Sequence, residues 1–472
     1  MNWVGGERYV APIVLLACVI SLDGADKGTL AVNARSLEQV FGIGHTSLGL
    51  LASITSLTGA VFTLPVGVLT DRVVRVRLLG GSIVLWAVAT VLSAAAPSFT
   101  WLVVTRGALG AVTATAGPTV ASLVGDFFPV ARRAQLYAYV LMGEFLGTGI
   151  GLLMTTALAS FGSWRLSIAW PAAPATLLAW RVWHSHEPRR GGQRPSHGEA
   201  DAGTDNGSRE PDAGPECTGE SAPRDKAGRL VAEHDVLPRA DAILREDPRH
   251  MPVPRAFLYV LRIPTVLIMI TASSLGYFFF AGVRTFGVLF ATQQYGISRP
   301  TASAVAIVIG TGGVIGLYLG GQAADRLLRA GRQNGRVIVP VVSLLVSPFV
   351  LAPALLATSP LVAVPLLFLG GITVTATNPP LDAARLDVVP SGMWGTSESA
   401  RTAVRTFGEL AAPLLFGYIS AAVFPSNGLR WTFLLFLAPL TVAGLLGLLA
   451  LRSYPRDVAT AGASDEAVHP VD

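Results

Sequence analysis

Three ionisable residues lie close together in the first long apolar segment of the chain. Asp23, Asp26 and Lys27 follow an apolar run that begins near residue 9. An ionisable side chain inside a membrane costs at least about 2.5 kcal/mol and usually faces the protein interior or a water-filled cavity. The spacing of Asp23 and Lys27 allows a helical ion pair, which would leave Asp26 to bind and release a proton. The structural alternative is a static ion pair that holds this helix against its neighbours.

Single charges interrupt three other apolar segments. Arg106 would bind Asp26 or an anionic head group, or it would be structural and donate to backbone carbonyls. Glu144 lies among glycines whose spacing is explained by close helix packing, but packing does not explain its carboxylate. Arg284 lies deep in FFFAGVRTFGVLF, where it would meet a phosphate or carboxylate group. We predict that all three line a central cavity, with structural pairing as the alternative.

Four charges recur near the C-terminal end at helical spacing. Glu398, Arg401, Arg405 and Glu409 are separated by three, four and four residues, so they fall on one face of a helix. We predict that Arg405 and Glu409 line the cavity or form a structural pair. Glu398 and Arg401 lie nearer the end of the segment and are predicted to be gate residues.

The elements that position these residues are predicted to be membrane-spanning helices. The chain has 472 residues, of which 51% are hydrophobic and 14% charged, whereas soluble domains carry about 25% charged residues. A spanning helix needs about 20 mostly apolar residues, and the chain divides into twelve such segments. The predicted spans, numbered 1 to 12, are approximately 9–31, 46–69, 77–96, 99–125, 134–158, 164–183, 264–291, 299–324, 336–357, 360–384, 395–422 and 430–452. The predicted fold class is therefore an all-α integral membrane protein.

Composition also divides the chain into domains. A stretch rich in Gly, Pro, Asp, Glu and Arg separates the two groups of six spans, and it carries too little apolar surface to fold alone. We predict an N-terminal bundle at 1–184, a largely disordered linker at 185–255, a C-terminal bundle at 256–455 and a disordered tail at 456–472.

Arginines predict the orientation of the chain. One set of short loops holds most of the arginines, and we call the membrane face on which these loops lie the arginine-rich face: Arg72, Arg75, Arg77, Arg132, Arg133, Arg326, Arg329, Arg332 and Arg336. Because cytoplasmic loops are enriched in Lys and Arg, this face, the linker and both termini are predicted to be cytoplasmic, with the protein in the cell membrane. The first span is predicted to be retained rather than cleaved as a signal peptide.

The two halves of the chain repeat each other. A shift of 254 residues aligns the 32 residues from Phe41 with those from Tyr295 without a gap, and Gly67, Asp71 and Arg72 then meet identical residues. The triplet TAT occurs at 113–115 and again at 375–377. Two similar six-helix halves are typical of transporters whose site lies between the halves. The pattern predicts twelve helices in two pseudo-symmetric bundles.

The segment GVLTDRVVRVR, which starts at Gly67, resembles the loop between helices 2 and 3 of the major facilitator superfamily, and GQAADRLLRAGR resembles a degenerate second copy. The resemblance implies that Asp71 faces the N-terminus of span 11, whose dipole favours an anion. It also implies a conformational latch in which Arg75 pairs with Asp126. The predicted gate comprises Asp71, Arg72, Arg75, Asp126, Asp325, Arg326, Glu398 and Arg401.

Within the superfamily, DKGTLAVNARSLEQVFGIG and TRGALG are most similar to the Spinster-type lipid transporters. That branch pairs an acidic residue of helix 1 with an arginine and a glutamate of helix 4, and Asp26 and Arg106 match the first two. Thr113 stands at the glutamate position and Lys27 replaces an arginine. This chain therefore departs from the branch at two positions of its proton-coupling scheme.

Other classes of function have little support. The net charge of +5 is explained by arginines that flank spans, so nucleic-acid binding is not expected. The sequence lacks a Walker loop, a metal-ligand cluster and a supported catalytic triad, so we expect neither an enzyme nor a cofactor. Cys18 and Cys217 form no metal or disulfide framework.

We therefore predict a monomeric, proton-coupled secondary transporter of a small amphipathic molecule, which would be lysophospholipid-like if the Spinster resemblance extends to the substrate. The proton gradient would supply the energy. An exporter of drugs or metabolites is the alternative within the class. A membrane sensor or scaffold that does not transport is the alternative from another class, although a scaffold need not retain interior charges.

Overall fold

The computed structural model describes residues 7–43, 45–128, 132–159, 163–188, 231, 234, 236–424 and 427–468. All regular secondary structure in these ranges is helical. Nine helical stretches of the described residues are long and apolar enough to cross a membrane by length and composition alone. The predicted fold of twelve helices in two six-helix bundles is confirmed, and the protein is a multi-pass membrane protein.

Seven spans are single helices. Spans 1, 2, 3, 5, 7, 8 and 9 are Glu7–Phe41, His45–Arg72, Arg75–Ala94, Arg133–Ala159, Pro264–Tyr295, Arg299–Arg329 and Gly335–Leu356. The other five consist of two consecutive pieces. Spans 4, 6, 10, 11 and 12 are Phe99–Thr113 with Ala116–Phe127, Trp164–Ala169 with Ala172–Trp183, Pro360–Thr375 with Asn378–Val388, Trp394–Tyr418 with Ile419–Val423, and Gly428–Leu435 with Leu437–Val468.

The breaks in spans 4 and 10 occur at equivalent places. Span 4 is interrupted after Thr113 and span 10 after Thr375, which are the first residues of the repeated TAT triplet. Pro118 and Pro380 follow four residues beyond Ala114 and Ala376, respectively. Proline lacks the N–H that would donate to the carbonyl four residues earlier, so the ladder is interrupted in both halves. The helix breaks in spans 4 and 10 are therefore part of the repeat between the two halves.

A stripe of glycines on span 5 packs closely against span 1. A Cβ added at Gly143, Gly147 or Gly151 would come within 2.2, 2.1 and 2.5 Å of backbone atoms of span 1. Only glycine allows so close an approach of two helix backbones. The packing fixes span 1 along its length, including the segment that carries Asp26.

The predicted disordered tail from residue 456 is wrong for residues 456–468. Span 12 continues to Val468, and Val458 and Ala461 within this extension are buried. Burial of these apolar faces against the linker side of the bundle stabilises the added helical turns. Residues 469–472 lie outside the described residues.

The predicted linker boundary at 255 is also wrong. An amphipathic helix, Val253–Arg262, precedes span 7 and begins before that boundary, and we call it the linker helix. Its Ala256 and Val260 are buried. Upstream, Leu244 and Met251 are buried too, so the described linker residues from 236 onward pack on the C-terminal half. Residues 189–230 lie outside the described residues.

Candidate functional site

A buried ion pair joins span 1 to span 4. Nη1 of Arg106 lies 3.0 Å from both carboxylate oxygens of Asp26, and Nη2 donates to the Thr29 hydroxyl at 3.5 Å. Arg106 is fully buried and Asp26 is 7% exposed. Nε of Arg106 has no hydrogen-bond partner among the described residues. Among the described residues, the Asp26 carboxylate is therefore the group that balances the charge of Arg106.

Asp23 lies one turn away from this pair and faces a different part of the N-terminal half. It is half-buried and lines a small cavity together with Ser82 and Trp86 of span 3 and Thr113 of span 4. Thr113 is the position where the Spinster-type pattern has a glutamate. The side chain of Lys27 lies outside the described residues, so the predicted pair of Asp23 with Lys27 stays a prediction.

A second charged group lies on span 11. Arg405 Nε lies 3.6 Å from Glu409 Oε1, one helical turn away, and the guanidinium carbon is 4.5 Å from the centre of the Tyr277 ring of span 7. Both charged side chains are about a quarter exposed. Glu144, on span 5 of the other half, lies within electrostatic range of Arg405. Charges from both halves therefore converge at this level of the bundle.

Arg284 extends the same face of span 7. It lies seven residues beyond Tyr277, which is close to two helical turns, and its side chain is exposed. Among the described residues Arg284 forms no ion pair. Its guanidinium group is therefore available to a ligand that carries a negative charge.

A four-charge cluster connects spans 10 and 11. Glu398 accepts from Arg401 Nη2 at 2.6 Å and from Arg385 Nη2 at 2.5 Å, and Arg401 Nε lies 3.4 Å from Asp382. All four side chains are buried. Glu398 also packs against Gly117 of span 4, where an added Cβ would lie 3.7 Å from its carboxylate. The cluster therefore lies at the contact between the halves.

Sequence reasoning missed two members of this cluster. Asp382 and Arg385 stand three residues apart at the end of span 10, the same spacing as Glu398 and Arg401. A pair of opposite charges one turn apart beside an apolar segment was the signal that could have identified them.

The predicted gate residue Asp71 caps span 11. Its carboxylate accepts from the backbone N–H groups of Gly395 and Thr396 at 2.9 and 2.8 Å and from the Thr396 hydroxyl at 2.8 Å. Span 11 begins at Trp394, so these N–H groups lack partners within the helix. Asp71 belongs to the N-terminal half, so the cap joins the two halves.

Asp325 makes the pseudo-symmetric contact. It lies 254 residues beyond Asp71, and its Oδ2 accepts from the backbone N–H of Gln135 at 2.8 Å, near the start of span 5. Its Oδ1 lies 3.2 Å from Arg336 Nη2. One carboxylate of each half therefore binds the start of a helix in the other half.

Asp387 connects charges of both halves. It accepts from Arg336 at 2.7 and 2.5 Å and from the Tyr454 hydroxyl at 2.7 Å. Arg133, on span 5 of the other half, lies 3.3 Å away. In the sequence, Arg133 and Arg336 predict only the orientation of the chain. Their contacts with Asp387 depend on the tertiary fold, which brings the two loops together.

Arg75 contacts Asp126, as the latch interpretation requires, and both are buried. Arg75 Nε also donates to Glu187 at 2.8 Å, and the other oxygen of Glu187 accepts from the backbone N–H of Val76. Glu187 lies in the predicted linker and was missed. Its carboxylate ties the end of the N-terminal half to the start of span 3.

The two remaining predicted gate residues lie outside this network. Arg72 is exposed and donates through Nη2 to the backbone carbonyl of Met251 in the linker. Arg326 is exposed and makes no ion pair with any residue that the structure describes.

The contacts between the halves thus concentrate at the arginine-rich face. Gly67 of span 2 lies against Ser399 of span 11, and Gly321 of span 8 lies against Ala134 of span 5. Asp71 and Asp325 close the same end. This structure is therefore closed at the arginine-rich face, with the charges of Asp26 and Arg405 deeper in the bundle. No group of three or more His, Cys, Asp or Glu side chains suited to a metal ion occurs among the described residues.

Comparison with known families gives one match that covers most of the chain. Residues 16–413 match the family described as the Major Facilitator Superfamily. The matched range runs from span 1 into span 11 and includes all the predicted cavity residues.

Individual relatives match a shorter part. The chain is 31% identical over 151 residues to probable anion transporter 3 of Arabidopsis thaliana, which is 31% of this chain and 29% of that one. It is 28% identical over 162 residues to spinster homolog 1 of Homo sapiens, 34% of this chain and 31% of that one. The 4-hydroxybenzoate transporter of Pseudomonas putida is 29% identical over 181 residues, 38% and 40% of the two chains. The matches thus span about a third of the length of the first two relatives.

Solved structures match over nearly the whole length. A bacterial homologue of the human lysosomal transporter Spinster, in an inward-facing conformation, has a TM-score of 0.57 at 18% identity and covers 96% of this chain and 98% of that one. The transporter FucP in its outward conformation has a TM-score of 0.67 at 12% identity, covering 94% and 99%. At these identities the likeness establishes the fold. The resemblance to Spinster-type proteins is confirmed in both sequence and fold comparisons.

Proposed function

Because this chain belongs to the Major Facilitator Superfamily, we propose that it is a proton-coupled secondary transporter of an amphipathic molecule with an anionic head group. The observation that carries the proposal is the buried pair of Asp26 and Arg106. A buried carboxylate that balances a single arginine changes the net charge of its surroundings when it binds a proton. Protonation of Asp26 would release Arg106 for other contacts.

The coupling of proton movement to substrate transport follows from the two conformations that such a bundle adopts. With the arginine-rich face closed, Asp26 exchanges protons with the opposite side of the membrane. When the latch opens, the same carboxylate meets the other side. A proton gradient then drives net movement, because protonation changes the relative stability of the two states. We propose that the arginine-rich face and both termini are cytoplasmic, in accordance with the positive-inside rule.

The proposed substrate class rests on two arginines of the C-terminal half, Arg284 and Arg405. Arg284 has no ion-pair partner among the described residues, and Arg405 is balanced by Glu409 while it stacks on Tyr277. A phosphate or carboxylate head group would bind Arg284 and compete with Glu409 for Arg405. A relative named as a probable anion transporter supports a substrate of this charge. A lysophospholipid combines such a head group with one acyl chain.

The test is flux in proteoliposomes with an imposed pH gradient. A fluorescent lysophospholipid and 4-hydroxybenzoate, an anion without an acyl chain, are compared for wild type, Asp26→Asn and Glu466→Gln. Glu466 is an exposed carboxylate at the end of span 12 and serves as the matched control.

We expect gradient-dependent lysophospholipid flux in wild type and Glu466→Gln, reduced at least tenfold in Asp26→Asn. If flux in wild type does not change with the imposed pH gradient, the proposal of proton coupling is overturned. Flux of 4-hydroxybenzoate alone would overturn the lipid part and favour a metabolite transporter. Folded protein that moves neither compound would favour a sensor or scaffold.

A further inference from the structure

A cavity of about 450 Å³ lies outside the proposed transport site, between the linker, the linker helix and the extension of span 12. Pockets of about 300–1,000 Å³ are typical for small-molecule ligands. Its buried floor includes Leu244 and Met251 of the linker, Val388 at the end of span 10, and Asp457 of span 12. The cavity therefore joins segments that are distant in sequence.

The walls are held by specific contacts. The backbone N–H groups of Arg239 and Leu244 donate to the hydroxyls of Thr460 and Ser464 on the span 12 extension, each at 3.0 Å. The Tyr259 hydroxyl donates to the Ala242 carbonyl at 3.0 Å, and burial raises the pKa of this phenol, so it remains a donor. The linker segment is thereby fixed along two helices.

The lining of the cavity carries more arginines than carboxylates, and its acidic residues are Asp241, Glu246 and Asp457. Four arginines line it: Arg239, Arg245, Arg255 and Arg262. Arg239 Nη1 lies 3.6 Å from Asp457, and Arg255 Nη1 lies 3.1 Å from Glu246. Arg245 and Arg262 are exposed, and neither forms an ion pair with a described residue. Two guanidinium groups at the mouth of one cavity can bind an anion through paired hydrogen bonds.

We propose that this cavity is a regulatory site for a phosphate-bearing anion, which Arg245 and Arg262 bind. The phosphate belongs either to a soluble small molecule or to the head group of an anionic lipid at the membrane surface. This site is separate from Asp26 and Arg405, so it does not depend on the identity of the transported substrate.

The cavity is connected to the contact between the halves. Met251, which lines it, accepts through its backbone carbonyl from Arg72 at the end of span 2. Pro248 of the same segment packs against Gly392, just before span 11. A ligand that orders this segment favours the state in which Arg72 contacts it, which is the state closed at the arginine-rich face.

The test measures binding to the purified full-length protein. One arm titrates inorganic pyrophosphate into protein in detergent. The other compares the melting temperature in nanodiscs of phosphatidylcholine with and without phosphatidylglycerol. The variant is Arg245→Gln/Arg262→Gln. The control Arg77→Gln/Arg332→Gln removes the same charge from two exposed arginines at the same face that do not line the cavity.

We expect pyrophosphate to bind wild type and control and to bind the cavity variant at least tenfold more weakly. A phosphatidylglycerol-dependent rise in melting temperature that only the cavity variant loses, without pyrophosphate binding, would support the site with a lipid as its ligand. Equal behaviour of the two variants, or no response to either anion, would overturn the proposal.

A second measurement tests the coupling. In a Cys18→Ser/Cys217→Ser background, Ser399→Cys places a thiol at the buried contact between spans 2 and 11. The bound anion is expected to slow thiol labelling at least threefold, and Arg72→Gln is expected to abolish this effect without loss of binding. Labelling that is unchanged by the bound anion would overturn the regulatory role.

Discussion

Gly67 and Ser399 lie in such close contact that a Cβ added at Gly67 would come within 1.7 Å of the Ser399 Oγ and 2.7 Å of the Gly395 carbonyl oxygen. Spans 2 and 11 belong to different halves of the chain, so this contact holds the arginine-rich face closed. Gly321, which is 254 residues later, makes the equivalent approach to Ala134 with an added Cβ at 2.7 Å. Because neither glycine has a side chain, the helices of the two halves approach closely at both positions.

Gly67→Ala is expected to shift the protein toward the state that is open at this face. Overpacking of a close contact costs about 1–3 kcal/mol, and the alternative conformation relieves it. Thiol labelling of Ser399→Cys in the cysteine-free background should be faster in the Gly67→Ala variant. Gly310→Ala is the control, because an added Cβ there meets nothing within 4 Å. Equal labelling rates in the two variants would contradict the assignment of Gly67 to the closed contact.

Asp71→Asn is expected to open the same face by a different route. The substitution removes the charge that accepts from two backbone N–H groups and one hydroxyl. Charge-assisted hydrogen bonds contribute about 1.5–3 kcal/mol each, and Asn retains one acceptor. We expect at least tenfold faster labelling at Ser399→Cys, with a melting temperature close to that of wild type. Glu466→Gln, which changes an exposed carboxylate outside the linker cavity, should leave labelling unchanged.

Substitutions at Asp26 and Arg106 can distinguish the contribution of this pair to protein stability from its contribution to proton-coupled transport. Asp26→Ala leaves the fully buried Arg106 without its carboxylate, and breaking a buried pair costs about 3–5 kcal/mol. The double variant Asp26→Leu/Arg106→Leu removes both charges and is expected to regain most of the lost thermal stability in detergent. It should nevertheless remain inactive in gradient-driven flux. A double variant that transports at the wild-type rate would show that the pair is only structural.

Arg405→Lys is expected to weaken substrate binding. Lysine keeps the charge but loses the planar group that stacks on Tyr277 and faces Glu409. We expect at least a fivefold rise in KM for flux and a small change in maximal rate. Arg430→Lys is a matched control, since Arg430 lies 5.9 Å from the Trp431 ring, outside this group. An unchanged KM in Arg405→Lys would remove Arg405 from the substrate site.

Protein that carries both Arg405→Lys and Arg284→Ala extends this test. If the two arginines bind one anionic head group, the effect of the double substitution on KM should differ from the sum of the separate effects in free energy, because neighbouring contacts to one ligand are coupled. Strictly additive effects would place the two residues at separate sites.

Much of the architecture followed from local pattern. Span 2, for example, was predicted at 46–69 and is observed at His45–Arg72, because its apolar run has to satisfy its hydrogen bonds internally. The tail was predicted wrongly because its order depends on contacts with a distant segment and not on local pattern. Polar residues after Pro455 resemble a disordered segment, but Val458 and Ala461 become buried against a linker whose position depends on the fold.

The sequence by itself determined the helices, the repeat and many of the interior charges, although it did not identify Asp382 and Arg385. These follow from hydrophobicity and spacing, which act within about twenty residues. Only the tertiary structure decided which charges meet: it placed Arg133 beside Asp387, Glu187 beside Arg75, and Asp382 in the cluster with Glu398. Electrostatic partners are chosen by proximity in space, and proximity between distant segments is set by how the two bundles pack. A sequence can show that a buried charge needs a partner, but packing decides which residue that partner is.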